Sequence, residues 1–257
     1  MARIFITGSS DGLGLAAAQH LSRQGHNIVI HARNPSRAHD AQKAFPAASA
    51  CLIGDLSSAF SVRNLADDVN ASGPYDAVIY NAGLYRGDFN RTEDGLPALI
   101  AVNTMATYML TCLVKPRPRR IVYLSSGLHD GGDPSLRDLD WKVRGEKGCS
   151  DGQAYADSKL HNILLAKAVA RRWEECKSNS LDPGWQPTKM GGASAPGDIG
   201  QAIESYELLA AEIEESGKYY RPGRQEGVSK KEADDVEVQE KLLKLCEEVT
   251  GITFPES

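Results

Sequence analysis

The chain has 257 residues, enough for one large domain or two small ones, and its 41% hydrophobic and 25% charged residues are ordinary for a globular protein. Its formal net charge of −5 argues against nucleic acid or an anionic membrane as the main partner. No apolar run approaches the ~18 residues of a membrane helix and no signal h-region opens the chain, so a cytoplasmic protein without membrane partners is expected.

Residues 3–7 form a short apolar, β-branched run that meets glycines, which predicts a buried strand. The loop that follows reads Thr7-Gly8-Ser9-Ser10-Asp11-Gly12-Leu13-Gly14. Its glycines permit a tight turn, close backbone approach to a pyrophosphate and close helix packing, and the next helix would present free N–H groups to an anion. The spacing is G-x-x-x-G-x-G rather than G-x-G-x-x-G, so the strand–turn–helix context carries the reading. Residues 13–24 have helical spacing, with Gly25 as a C-cap.

A second strand is expected over 27–31. It ends in Ile30-His31-Ala32-Arg33-Asn34, with no acidic residue for a ribose 2′-hydroxyl. Arg33, with Arg37 nearby, can instead meet a 2′-phosphate bidentately; the alternative is a solvated turn residue. Further strands are expected over 49–53, 76–80, 120–124 and 177–181, and helices over 61–69, 96–113 and 153–173. Strands alternating with helices predict an α/β fold, a doubly wound, Rossmann-type parallel sheet filling residues 1–257 as one dinucleotide-binding domain. Two long irregular stretches interrupt it: an insertion at 127–152, and a glycine-rich loop at 184–200 that is a lid candidate. The segment 217–240 is charged, and 241–249 is a closing helix. The five cysteines, Cys149 among them, are scattered without C-x-x-C spacing, which fits reduced thiols. No histidine pattern suggests a metal site.

Tyr155 and Lys159 lie four apart on the long helix, on one face, where an ammonium favours the phenolate and lowers the phenol pKa. Taken with the other motifs, the chain resembles the compact branch of the short-chain dehydrogenase/reductase family. Gly8, Gly12 and Gly14 match its cofactor loop, Asp55-Leu56 its adenine-contacting pair, and Asn81-Ala82-Gly83 its N-A-G motif. Asn103, Ser126, Tyr155 and Lys159 match its catalytic tetrad, and Pro183-Gly184 with Thr188 its P-G-x-x-x-T segment. Residues 120–129 and 154–162 are similar to the retinol-dehydrogenase-like and carbonyl-reductase-like members.

The resemblance implies hydride transfer between a nicotinamide cofactor, NADP(H) in preference to NAD(H), and a small-molecule carbonyl or alcohol. Cofactor contacts fall on Gly8, Ser10, Gly12, Leu13, Gly14, Arg33, Asp55, Leu56, Asn81, Ala82, Gly83, Tyr155, Lys159, Pro183, Gly184 and Thr188. Tyr155 would exchange the proton, Ser126 hold the carbonyl oxygen, Lys159 bind the ribose, and Asn103 hold a relay water. Asp11 departs from the basic residue many NADP-dependent members carry there. Tyr219, Tyr220, Trp185 and Met190 are candidate pocket walls, and His129 is read as structural. Relatives pair through the helices carrying Asn103 and Tyr155, which implies a homodimer unless the 127–152 insertion covers that surface. The alternative is a catalytically weak NADP-binding regulatory protein on the same fold. An epimerase or dehydratase of the extended branch would need glycine at position 11 and a larger C-terminal domain.

Overall fold

The computed structural model describes residues 1–85, 90–143 and 150–256. Residues 144–149 of the expected insertion, with Cys149, lie outside the described residues.

Eight strands form one sheet in the order β3-β2-β1-β4-β5-β6-β7-β8. These are β1 (Arg3–Ile6), β2 (Asn27–Ala32), β3 (Ala50–Ile53), β4 (Ala77–Tyr80), β5 (Arg120–Leu124), β6 (Lys177–Leu181), β7 (Tyr219–Arg221) and β8 (Gln225–Glu226). All neighbours are parallel except the β7–β8 edge pair. Alternate side chains of the central strands enter two different cores. Phe5, Val78, Tyr80, Ile121 and Tyr123 face one, and Ile4, Ile6, Ala77, Ile79, Val122 and Leu124 face the other. Burial on both faces is why these strands read as unbroken apolar runs.

On the first face lie α3 (Ala59–Ser72), α5 (Ala106–Leu113), α6 (Asp151–Arg172) and α8 (Val236–Thr250). On the second lie α1 (Gly12–Arg23), α2 (Pro35–Ala44) and α7 (Ile199–Glu207). The expected helix over 96–113 is broken by geometry: α4 (Ala98–Ile100) passes through a π-turn (Ala101–Met105) into α5. Neither α2, α7 nor β7 was anticipated. The helix α2 shows only Ala38 and Ala41 to the core, and its signal is local: Asn34 caps it by accepting the Arg37 N–H, with Pro35 in the first turn.

The outer faces of α5 and α6 are covered by α8 and the segment after it. Tyr108 on α5 donates to the Ile252 carbonyl at 2.8 Å, and Trp173 donates through Nε1 to the Pro255 carbonyl at 3.1 Å. Phe254 stacks on Trp173 with centroids 5.0 Å apart. The C-terminal segment thus lies on the surface through which pairing was expected. Among the described residues of the insertion, Leu136, Leu139 and Trp141 pack into the core, and Arg91 holds the Asp140 and Trp141 carbonyls.

Candidate active site

The strand ends place the motifs side by side. Gly8 leaves β1 at φ 62, and a Cβ there would meet the Ala82 backbone at 2.8 Å, so only glycine lets the first turn pass under the Asn81–Gly83 segment. Asn81 laces the two together: its Nδ2 donates to the Thr7 and Gly8 carbonyls at 3.0 and 3.1 Å, and its Oδ1 accepts from the Tyr206 hydroxyl at 2.8 Å. The Ala82 N–H donates to the Thr7 hydroxyl. A Cβ at Gly14 would stand 2.4 Å from Asn81 Nδ2, which fixes that glycine by packing. The first-turn amides of Leu13 and Gly14 find no acceptor among the described residues, leaving donors for an anion.

His31 was not singled out by the sequence. It is buried beneath the loop, accepting the Gly8 N–H at Nδ1 (2.9 Å) while Nε2 meets the Gly54 carbonyl at 2.8 Å. That pattern requires the neutral ring, and burial pushes its pKa down to about 4.

Thr188 faces Gly12, its Cβ 3.8 Å from where a glycine Cβ would be, so the P-G-x-x-x-T segment sits against the cofactor loop. Asp11 caps α1 by accepting the Gly12 N–H, and it pairs with both Lys189 and Arg37. The Lys189 ammonium leads in holding its carboxyl at about 2. The negative charge at this departure from the family pattern is therefore already matched. Arg33 is exposed and makes no ion pair among the described residues. Asp55 caps its own turn through Ser57, while the Leu56 side chain belongs to the core. Ser10 lies half-buried in the loop.

Beyond β5, Ser126 caps a 3₁₀ turn (Gly127–Gly131), and its hydroxyl is close enough to the Tyr155 phenol to favour the ionised form. Lys159, one turn further on α6, is buried. Its Nζ donates to the Leu124 carbonyl at 2.9 Å and lies 5.2 Å from the Tyr155 ring centroid. Gly83 makes room for it, since a Cβ there would stand 3.4 Å from both Lys159 Nζ and Asn103 Oδ1. Tyr85, which the sequence reading passed over, sets its ring edgewise on Tyr155 with centroids 4.7 Å apart.

One expectation needs correction. Burial dominates the protonation of the pair: it pushes the Tyr155 phenol up to about 12, with the nearby Ser126 hydroxyl opposing, and the Lys159 ammonium down to about 8. The lysine does not pull the phenol below its ordinary value here. The Asn103 side chain, on the π-turn, is also already bonded. It accepts the Leu84 N–H at 2.7 Å and donates to the Leu84 carbonyl (2.9 Å) and the Ser158 hydroxyl (3.0 Å), so it ties the 81–84 segment to α6.

The short chain dehydrogenase family model matches residues 2–129. The chain is 41% identical to short-chain dehydrogenase chry4 of Gibberella zeae over 258 residues, covering 99% of both. It belongs to the short-chain dehydrogenase family. The retinol-dehydrogenase look of the sequence has a counterpart in 32% identity to mouse retinol dehydrogenase 14, across 73% of this chain and 62% of that one. A solved structure of an uncharacterized protein from Mycobacterium Paratuberculosis superimposes with a TM-score of 0.85 at 28% identity, covering 99% of this chain and 95% of that one. This dehydrogenase is an α/β oxidoreductase of the Rossmann type. Among its described residues no helix is long and apolar enough to cross a membrane.

The pocket walls expected beside the site divide. Trp185 and Met190 are exposed on the 184–200 segment, whereas Tyr220 enters the second core and Tyr219 is buried over His129. His129 is buried and bonds the Ser126 carbonyl at 2.7 Å through Nδ1 while Nε2 accepts the Lys230 N–H, which fits its structural reading.

Proposed function

We propose that this dehydrogenase transfers hydride between a nicotinamide cofactor, NADP(H) preferred, and a small-molecule carbonyl or alcohol. The observation that carries the reading is the convergence of the Ser126 hydroxyl, the Tyr155 phenol and the Lys159 ammonium at the C-terminal end of β5. They lie beside a glycine loop whose amides and helix end suit a pyrophosphate. Contacts along the cofactor would fall on the loop (Gly8, Ser10, Gly12, Leu13, Gly14), on Asp55 and Leu56, on Asn81–Gly83, and on Pro183, Gly184 and Thr188. Arg33 would take a 2′-phosphate.

Bound there, a nicotinamide supplies or accepts the hydride. In reduction, Ser126 holds the carbonyl oxygen and Tyr155 gives that oxygen its proton as the carbonyl carbon is reduced; oxidation reverses the transfer. The Lys159 ammonium stabilises the phenolate left behind. Asn103 acts through Leu84 and Ser158, keeping the segment beside Lys159 in place. The 184–200 segment serves as the lid, held to the cofactor loop by Lys189 on Asp11. With its α5–α6 face covered by its own C-terminal segment, the protein does not pair through those helices.

The test is a panel of aldehydes, ketones and alcohols with NADPH and NADH, followed by reduced-nicotinamide absorbance. Loss of at least ~10²-fold in rate is expected for Tyr155→Phe, and a wild-type rate in that variant refutes the assignment. Cofactor binding without turnover of any compound favours the regulatory alternative. Arg33→Asp should weaken NADPH about tenfold or more and spare NADH.

A further inference from the structure

One carboxylate at the site is left over by the mechanism above. Asp182 follows β6 at the same end of the sheet as Ser126, in Asp182-Pro183-Gly184. Both of its oxygens are fixed. Oδ1 accepts the Gly184 N–H at 2.8 Å, and Oδ2 accepts the Tyr219 hydroxyl at 3.2 Å. Oδ2 also stands 3.3 Å from where a Cβ on Gly127 would be, directly against the residue after Ser126. No Lys, Arg or His forms an ion pair with it among the described residues. Tyr219 in turn packs on His129 with centroids 4.9 Å apart, and His129 holds the Ser126 carbonyl. The carboxylate is thus built into the wall of the proton-transfer site.

The groups that bear on Tyr155 come from every element around it. Tyr85 after β4 and Lys159 on α6 pack against its ring, Ser126 after β5 lies by its phenol, and the charge of Asp182 after β6 and the phenol of Tyr206 on α7 act on it through the field. His129, with Asp130 at 3.2 Å from its Nε2, and Tyr219 stand behind Ser126 and Asp182. Among the described residues Asp182 is the only carboxylate in the first set. A negative charge there disfavours a phenolate and favours an ammonium, so it acts on both members of the pair in one direction.

We propose that Asp182 is a positioning residue that keeps Tyr155 and Lys159 in their phenol and ammonium forms, so that at neutral pH the site rests loaded for carbonyl reduction. The field of Asp182 on the pair supports this, opposing the loss of charge at Lys159 and the ionisation of Tyr155. The role rests on the hydride-transfer reading above and gives it a working direction. It does not alter the overall equilibrium. It sets how much of the enzyme holds the proton that reduction consumes.

The experiment measures kcat/KM for reduction from pH 6 to 10, with a carbonyl compound that the wild type turns over. It compares wild type, Asp182→Asn and Tyr219→Phe, with folding checked by thermal unfolding. The asparagine is isosteric and can still accept the Gly184 N–H, but it carries no charge. Its alkaline limb is expected to move down by on the order of half to one pH unit. Tyr219→Phe strips the carboxylate of its donor and leaves its charge less compensated, so its limb is expected to move up. A purely structural role moves both limbs the same way or neither, and either result overturns the proposal. If Asp182→Asn does not fold, Tyr219→Phe decides alone: an upward shift supports the role, and an unmoved or lowered limb overturns it. Failure of the underlying reading is separable. If Tyr155→Phe keeps the wild-type rate, or no carbonyl is turned over, hydride transfer at this site falls and Asp182's role with it. If Tyr155→Phe is inactive and the limbs do not move, only the role of Asp182 falls.

Discussion

His31 makes the cofactor loop sensitive to acid. The ring is neutral because Nδ1 accepts the Gly8 N–H and Nε2 meets the Gly54 carbonyl, and protonation would set an N–H against an N–H. In the unfolded chain the ring takes its proton at the ordinary histidine value of 6.5, whereas in the fold it waits until about 4. Between those values the unfolded state binds more protons, so stability falls as pH falls. Each pH unit within that window costs up to about 1.4 kcal/mol, so this one ring loses about 2 kcal/mol between pH 7 and pH 5. The perturbation is His31→Gln, whose amide can reach both partners and does not titrate. Urea unfolding of both proteins at pH 7 and pH 5 isolates the ring, because the lowered His26 and the carboxylates titrate alike in each. The wild type should lose about 2 kcal/mol more than the variant over this interval. An equal loss in the two proteins refutes the clip.

The remaining predictions are shorter. Phe254→Ala removes a ring that is 5% exposed and stacked on Trp173, and should lower unfolding stability by about 3 kcal/mol; a loss below ~1 kcal/mol means the segment contributes little. With that segment docked, light scattering should find the protein monomeric at micromolar concentration, and a dimer bridged through α5 and α6 contradicts the covered face. Because burial lowers Lys159 to about 8, reduction should decline as pH rises through that value, where the ammonium is lost; a flat rate to pH 10 speaks against it. Lys189→Ala removes an exposed partner of Asp11 and should cost under ~1 kcal/mol of stability, measured by urea unfolding.

What was legible from sequence was what local chemistry decides. The central strands announced themselves because both faces are buried, and the glycine loop and N-A-G segment because close backbone approach admits few residues. Helix α2 was missed because alanines are all it gives the core, and β7 because two tyrosines inside a charged tail do not read as a strand. Sequence singled out four tetrad candidates, but not the protonation of Tyr155 and Lys159. Depth of burial sets the Tyr155 and Lys159 values, and no spacing of residues records depth. The side-chain bonds of Asn103 left no signal for a similar reason, since its partners Leu84 and Ser158 arrive from distant parts of the chain. His31 and Asp182 are single polar residues at strand ends, and only the closed fold brings one under the loop and the other against Gly127, next to Ser126.

The bonds made by Asn81 tie the nucleotide-facing turn to the closed fold. They join positions 74, 73 and 125 residues apart in the chain. Contacts of such separation exist only once long loops have closed, so the turn is present in the folded protein and absent from the unfolded chain. A nucleotide that binds only the completed turn stabilises the whole fold, adding about 2.7 kcal/mol at a hundredfold excess over its Kd. The rise in melting temperature with NADPH or NADH at equal concentration then ranks their affinities, with no substrate in the tube.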